Sequence, residues 1–372
     1  MDQSCNSATQ SLLTMEDDLA GCLGDDSRLT EVTFEGFRII VQHDDAAVAR
    51  ALCDRLHPYF GVKTLRREGV ASLSSPRGEL LLRVGCGSPP RPSAPPKRIM
   101  LRDHPSIARY RRPGSLWQDD SAVVVEDERS STLFGFRPHQ GSIAALGSDP
   151  AACGQACRRL IQDLIRGVAW NKGFALVEAA ALLPAPDQGL LLVGESGAGK
   201  TSLLVRLLKT THGAFVANDE VFLRRRPDHV IAIGAPVHVM VRQWLADRLP
   251  ELQDVRAALT ESGLEKEPMH YAEFAARLGV PLVHRCRVTA YLFVDRGVGI
   301  EKLSWEEAAS ALRNEFRWFE GWSTPWTEAL REKRRIELLD LQNVARALTR
   351  PLPSYRVGRR TMAAKILAAV GH

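Results

Sequence analysis

One octapeptide constrains this chain more than any other feature: Gly194-Glu195-Ser196-Gly197-Ala198-Gly199-Lys200-Thr201, of the form G-x-x-x-x-G-K-S/T. The pattern recurs by chance, so its flanks decide what it is worth. Residues 190–193 before it (Leu-Leu-Leu-Val) read as a buried strand, and residues 202–209 after it read as a helix. Strand, glycine-rich loop and helix in that order imply an α/β fold whose backbone N–H groups turn inward at the helix start. Glycine allows the turn because no Cβ obstructs it, and the helix N-terminus adds partial positive charge. Such a cup fits a nucleoside triphosphate, with Lys200 neutralising the β- and γ-phosphates and the Thr201 hydroxyl on Mg²⁺. The expected nucleotide contacts are Gly194, Glu195, Ser196, Gly197, Ala198, Gly199, Lys200, Thr201 and Ser202. The alternative, a glycine-rich turn that binds nothing, leaves the lysine without a packing use.

An acidic element follows. Residues 214–217 form a short apolar strand that runs into Asn218-Asp219-Glu220. Nineteen positions separate Lys200 from Asp219, enough for one helix, a turn at Gly213 and one strand. Asp219 is therefore expected beside the metal, with Thr201 as the other protein ligand. A plain strand-to-turn boundary, where Asn-Asp is common, is the other reading. The interval is too short for the signature loop of a transporter-type ATPase. A guanine-specific GTPase needs Asn-Lys-x-Asp after the loop, whereas Asn171-Lys172 precedes it and is followed by Gly173.

The 372 residues allow two domains. Residues 1–30, rich in Ser, Asp and Gly, are expected to be a flexible N-terminus. Residues 31–150 are expected to form a small, strand-rich α+β domain. It has a strand or hairpin over 34–41, a helix capped by His43-Asp44-Asp45 and running to about Leu56, strands at 79–84 and 122–125, and an exposed Pro-rich loop at 88–96. Residues 151–372 are expected to form the nucleotide domain. A helix over 152–170 opens it, strands at 237–241 and 287–294 continue it, and helices near 304–318, 326–348 and 360–370 close it.

A net charge of +5 is mild and makes no concentrated basic stripe, which argues against nucleic acid as a partner. No run approaches the roughly 18 uninterrupted apolar residues of a membrane span. The seven cysteines form no C-x-x-C pair, and the acidic N-terminus lacks a secretory pattern, so a reducing cytoplasm is expected. Cys153 and Cys157, four apart, read as buried helix residues before half a metal site. His212, His238 and His284 have no partner at ligand spacing and read as structural. Trp318, Trp322 and Trp326 read as one helical face. Arg224-Arg225-Arg226 reads as a solvated turn before Pro227, or as a contact for an acidic substrate. Arg242 is a candidate acceptor contact. The oligomeric state stays open, a homo-oligomer included.

Residues 177–182 (Val-Glu-Ala-Ala-Ala-Leu), the glycine-rich loop and residues 216–221 (Val-Ala-Asn-Asp-Glu-Val) resemble the HPr serine kinase/phosphorylase family. That family shares its core with the nucleotide domain of phosphoenolpyruvate carboxykinase. The resemblance is sharp over about 165–235. It is weaker at residues 288–296, at 352–356, and in the opening strand and helix with Leu56-His57-Pro58. It implies a P-loop kinase core, a mixed sheet with flanking helices, and transfer of the γ-phosphoryl group of ATP, or of GTP, to a hydroxyl of a protein, peptide or small molecule. A biosynthetic tailoring kinase belongs to that range. Two positions depart from the family. Glu178 stands where the family usually has His, and Asn218 stands where it has the first of two aspartates. A general base must accept a proton, so either Asp219, Glu220 or Glu178 takes that role, beside Lys200, or transfer relies on positioning and charge neutralisation alone. No counterpart of the family's phosphorolysis loop is found. A catalytically weakened nucleotide-binding partner protein and a simple ATPase are the rival readings.

Overall fold

The computed structural model describes residues 7–23, 27–57, 59–65, 79–102, 112–137, 141–235, 237–297, 299–317 and 341–371. The chain divides into two compact units. The first runs to Ala169, and the second takes Trp170–Arg317 and the described residues 341–371. The boundary thus falls near the end of the helix Pro150–Asn171, whereas the sequence reading placed it before that helix, between residues 150 and 151.

The first unit opens with α1 (Ser7–Cys22), which corrects the expectation of a flexible start. Ala8, Leu12, Met15 and Leu19 recur at helical spacing, and each is at most 2% exposed. They pack with Trp117, Val124, Leu133 and Leu146. Burying side chains of this size stabilises by about 1.5–3 kcal/mol each, enough to hold a helix whose other faces are polar. Then come β1 (Arg28–Phe34), β2 (Phe37–His43), α2 (Ala46–Leu56), β3 (Gly61–Leu65), β4 (Glu79–Cys86), β5 (Lys97–Arg102), β6 (Arg112–Gln118), β7 (Val123–Asp127), β8 (Thr132–Phe136), β9 (Ser142–Gly147) and α3 (Pro150–Asn171). The strands form a nine-stranded sheet ordered β3-β1-β2-β4-β9-β8-β7-β6-β5. Among the described residues of this sheet only β2–β4 and β4–β9 pair in parallel. The expected hairpin is β1–β2, closed by Glu35-Gly36 with both φ positive, the tight turn that strand twist favours. Asp45 caps α2 by accepting from the Ala47 N–H at 2.6 Å. Residues 88–96 carry no helix or strand. Cys153 and Cys157 are both fully buried. Among the described residues no helix is long and apolar enough to cross a membrane.

The second unit contains β10 (Ala175–Val177), β11 (Ala179–Ala185), β12 (Gln188–Val193), α4 (Lys200–Thr211), β13 (Ala214–Ala217), β14 (Val221–Arg225), β15 (Val230–Gly234), β16 (His238–Arg242), α5 (Gln243–Ala246), α6 (Gln253–Ser262), β17 (Lys266–His270), α7 (Tyr271–Leu278), β18 (Arg285–Asp295), β19 (Ile300–Lys302), α8 (Trp305–Asn314), α9 (Leu341–Thr349), β20 (Ser354–Gly358) and α10 (Ala363–Val370). Its large mixed sheet is ordered β10-β14-β15-β18-β12-β11-β13, with β20 on β18 and β19 on β20. Only residue 178 separates β10 from β11, and only residues 218–220 separate β13 from β14. The two ends of the strand order are therefore two halves of the same pair of segments, and the array closes on itself. β12 lies parallel to β18 and antiparallel to β11, and Leu190–Val193 are at most 1% exposed. A short unbroken apolar run is what a strand covered on both faces requires. Trp318, Trp322 and Trp326, with most of the helix expected over 326–348, lie outside the described residues.

Candidate functional site

The seam that closes this sheet is interrupted where the charged residues lie. Val177 pairs with Val221 and Ala181 with Ala217, and the register carries straight through the gap. Glu178, Ala179 and Ala180 thus stand opposite Glu220, Asp219 and Asn218. On the other side Ala179 pairs with Val193, which places Glu178 beside Gly194, the first residue of the loop. One row across the sheet brings together the acid before the loop, the loop itself and the acidic turn.

The loop leaves β12 with Gly194 at φ 151° and enters α4 through Gly199 at φ 109°. A Cβ on Gly194 would meet the Val294 carbonyl oxygen at 2.6 Å, and one on Gly199 would meet the Arg359 Cβ at 2.9 Å. Both positions need glycine for backbone conformation and for space. Glu195, Ser196 and Gly197 at the crest are exposed, and Ser202 is partly so.

Lys200 is 5% exposed and turns back under the loop. Its ammonium donates to Glu178 Oε1 at 2.9 Å, to the Gly194 carbonyl at 2.5 Å and to the Glu195 carbonyl at 3.0 Å. Burial pulls its pKa below the ordinary lysine value, and the charges of Asp219, Glu315 and Glu195 oppose that pull. The Thr201 hydroxyl donates to Asn218 Oδ1 at 2.9 Å. Asn218, the departure noted in sequence, therefore holds the hydroxyl expected on the metal.

Asp219 sits at φ 73°, a left-handed conformation that Asp and Asn tolerate better than most residues. Burial pushes its carboxyl up to about 6, with Lys200 pulling down and Glu220 pushing up. Its carboxylate makes no hydrogen bond or ion pair among the described residues. Tyr271, the first residue of α7, fixes the turn from behind. Its hydroxyl accepts from the Asn218 N–H at 2.9 Å and donates to the Asn218 carbonyl.

Lys200, Glu178, Asp219 and Glu220 thus converge, as do Thr201 and Asn218. Three participants had no sequence signal. Residues 315–317 pair alongside β10: the Glu178 N–H donates to the Glu315 carbonyl at 2.9 Å and the Arg317 N–H to the Leu176 carbonyl at 2.8 Å. This brings the Arg317 guanidinium onto Glu178 Oε2, so that Glu178 bridges Lys200 and Arg317. It also brings Glu315 near Lys200, with its carboxyl raised by burial. Arg359 follows β20 and lays its stem on Gly199, while the Arg206 guanidinium holds its carbonyl. The Arg359 guanidinium itself is unpaired among the described residues. A residue about 160 positions from the loop gives no spacing to read.

Other candidates stand apart. Arg224-Arg225-Arg226 lie at the end of β14 remote from Glu220. Arg224 rests over the Phe174 ring at 5.3 Å, and the Arg226 N–H closes a turn on the His229 carbonyl at 2.8 Å. His212 ends α4 in a left-handed conformation. His238, with no partner visible in sequence, lies against His270, ring centroids 4.8 Å apart.

No protein-family model matches the chain, and no curated protein matches it. Among solved structures it is similar to the Hpr(Ser) kinase/phosphatase from Coxiella burnetii, with 16% identity and a TM-score of 0.21, over 32% of this chain and 58% of that one. The matched part is under two thirds of that structure's length. A likeness of this depth assigns no role to any residue of the site.

Proposed function

We propose that this chain is an ATP-dependent phosphotransferase of the P-loop kinase type, which passes the γ-phosphoryl group to an acceptor hydroxyl. The observation that carries the reading is the row Gly194–Glu178–Glu220, with Asp219 the residue next along the turn. A buried lysine, a glycine-strained loop and an ionisable carboxylate converge there, and two of the three groups that hold Lys200, the Gly194 and Glu195 carbonyls, are ones a phosphate can replace. The sequence resemblance over residues 165–235 points the same way.

Among the described residues no three His, Cys, Asp or Glu side chains form a metal cluster, and this chemistry needs none. Beside a triphosphate, Mg²⁺ takes most of its oxygens from phosphate and water and one or two from protein. The unpaired Asp219 carboxylate and the Thr201 hydroxyl fit that demand and would hold the ion. When bound it neutralises charge on the β- and γ-phosphates. The chain's own residues do the rest. Lys200 exchanges the Gly194 and Glu195 carbonyls for phosphate oxygens, while Glu178, backed by Arg317, keeps the ammonium aimed at the loop. Asp219, whose carboxyl burial raises in the metal-free chain, orients the acceptor hydroxyl and takes its proton as the new bond to phosphorus forms. The acceptor oxygen bonds to the γ-phosphorus, the bond to the bridging oxygen breaks, the proton goes to Asp219, and ADP leaves.

Asn218 favours a second reading. With one acid of the expected pair missing, the site could bind nucleotide and signal its presence without transfer. Incubation with γ-labelled ATP, Mg²⁺ and candidate acceptors separates the two. Acceptor-dependent ADP that disappears in Lys200→Ala supports the kinase. Tight binding with no turnover in either the natural chain or Asn218→Asp supports the binding module. ADP release without any acceptor marks a simple ATPase.

A further inference from the structure

The row that carries Glu178 and Gly194 does not end at the loop. β12 pairs with β18 on its other flank, and the C-terminal part of β18 pairs in turn with β20, Phe293 with Arg356 and Asp295 with Gly358. The acidic turn and Arg359 therefore stand on opposite flanks of the phosphate loop. Glu178, Asp219 and Glu220 lie on the β11 side of β12, and Arg359 lies on the β18 side.

The backbone at Arg359 is pinned from three directions. Its N–H donates to the Asp295 carbonyl at 2.9 Å. The Arg206 guanidinium, on the loop helix α4, donates to the Arg359 carbonyl and, at 3.0 Å, to the Thr361 carbonyl. The buried Thr361 hydroxyl donates to the Gly299 carbonyl at 2.9 Å and accepts the Gly299 N–H at 3.0 Å. The Arg359 stem lies along the loop, where a Cβ on Gly199 would meet its Cβ at 2.9 Å and its Cδ at 3.3 Å. The residue is partly exposed, and its guanidinium makes no hydrogen bond or ion pair among the described residues. Lys200 and Arg317, by contrast, are both bound to Glu178. A turn held this firmly, with a charged head that no neighbour takes up, is preorganised for a ligand.

The three phosphates of a nucleotide come in a fixed order. With the β-phosphate in the cup of loop amides and the γ-phosphate toward the acidic turn, the α-phosphate falls on the opposite flank. We propose that Arg359 clamps the α-phosphate, its guanidinium offering parallel N–H donors to two phosphate oxygens. The clamp rests on the nucleotide-binding reading of the site and adds to it the contact that sets which way the nucleotide lies. Arg359 holds the nucleoside end, so that the γ-phosphate is the one presented to Asp219. The same contact gives Gly199 a second use, since any side chain there would lift the clamp off the loop.

The test is calorimetry on the full chain with Mg²⁺ and ATP, ADP or inorganic tripolyphosphate. Arg359→Gln keeps the stem on Gly199 and removes the charge. It should raise the Kd of all three by about tenfold or more, the worth of a charge-assisted hydrogen bond. Arg359→Lys, which keeps a point charge, should lose less. Arg360→Gln, which removes an exposed charge one residue away, should change each Kd by less than about twofold. A loss on ATP and ADP that spares tripolyphosphate, or a natural chain that binds both nucleotides and not tripolyphosphate, would put Arg359 on the base or ribose. A loss on ATP alone would put it on the γ-phosphate. An equal loss in Arg360→Gln would reduce it to a general field effect, and no loss in Arg359→Gln would leave it without a ligand. Each of these results overturns the clamp. If the natural chain binds neither nucleotide, the nucleotide reading itself falls, and the clamp with it.

Discussion

Asp219 carries a burden that its replacement should lift. Its carboxyl stands at about 6 against an ordinary 3.8, because burial disfavours the charged form. The difference of about two units corresponds to about 3 kcal/mol at 1.36 kcal/mol per unit. The sign follows from proton binding. The folded state holds this proton more tightly than the unfolded chain does. The burden is therefore absent below about pH 4, grows between pH 4 and 6, and is complete above that. Asp219→Asn removes the charge, keeps the shape and suits the left-handed backbone at φ 73°. It breaks no side-chain hydrogen bond among the described residues. Burying an unpaired amide returns about 1 kcal/mol of cost, which leaves a net gain of about 2 kcal/mol. Denaturant unfolding at pH 7.5 should show the variant more stable by that amount. At pH 4 the advantage should vanish or reverse, and Mg²⁺-dependent turnover should be lost throughout. A variant less stable at pH 7.5, or a difference that stays flat with pH, would refute the claim that an ionised, desolvated Asp219 is held here for its chemistry.

Gly199→Ala should weaken Mg·ATP binding at least about tenfold by calorimetry, since a Cβ there meets Arg359 at 2.9 Å on a backbone at φ 109°. Arg359→Ala should also weaken Mg·ATP, by about tenfold, with no change in unfolding free energy, because its guanidinium is unpaired in the free chain. Tyr271→Phe leaves the buried Asn218 N–H and carbonyl without their shared partner; a loss of about 1–3 kcal/mol in denaturant unfolding is expected. Met15→Ala should cost about 2–4 kcal/mol in the first unit, read by faster amide exchange in β8 and β9, if α1 is a core element.

The loop, the helix after it and the strand ending at Asn218 were legible because each is local. Glycines at fixed spacing and a run of apolar residues state their conformation without reference to anything distant. The capped helix α2 and the hairpin β1–β2 were legible for the same reason. The helix α1 was not, because Ser, Thr and Asp between its apolar residues resemble a solvated tail. Only the sheet that buries Leu12, Met15 and Leu19 reveals which face matters. Cys153 and Cys157 read correctly as helix interior, since four-residue spacing already implies one face.

By itself the sequence determined that a lysine would stand at a glycine-bent helix start with an acid one strand away. It could not determine what neutralises that lysine. The closed register that sets Glu178 opposite Glu220, the strand pairing that delivers Arg317, and the return of the chain after β20 that lays Arg359 on Gly199 are long-range contacts. Backbone preference acts over a few residues, whereas charges meet wherever packing brings them. The chemistry of this site was therefore set by which strands pair, and no local pattern encodes that.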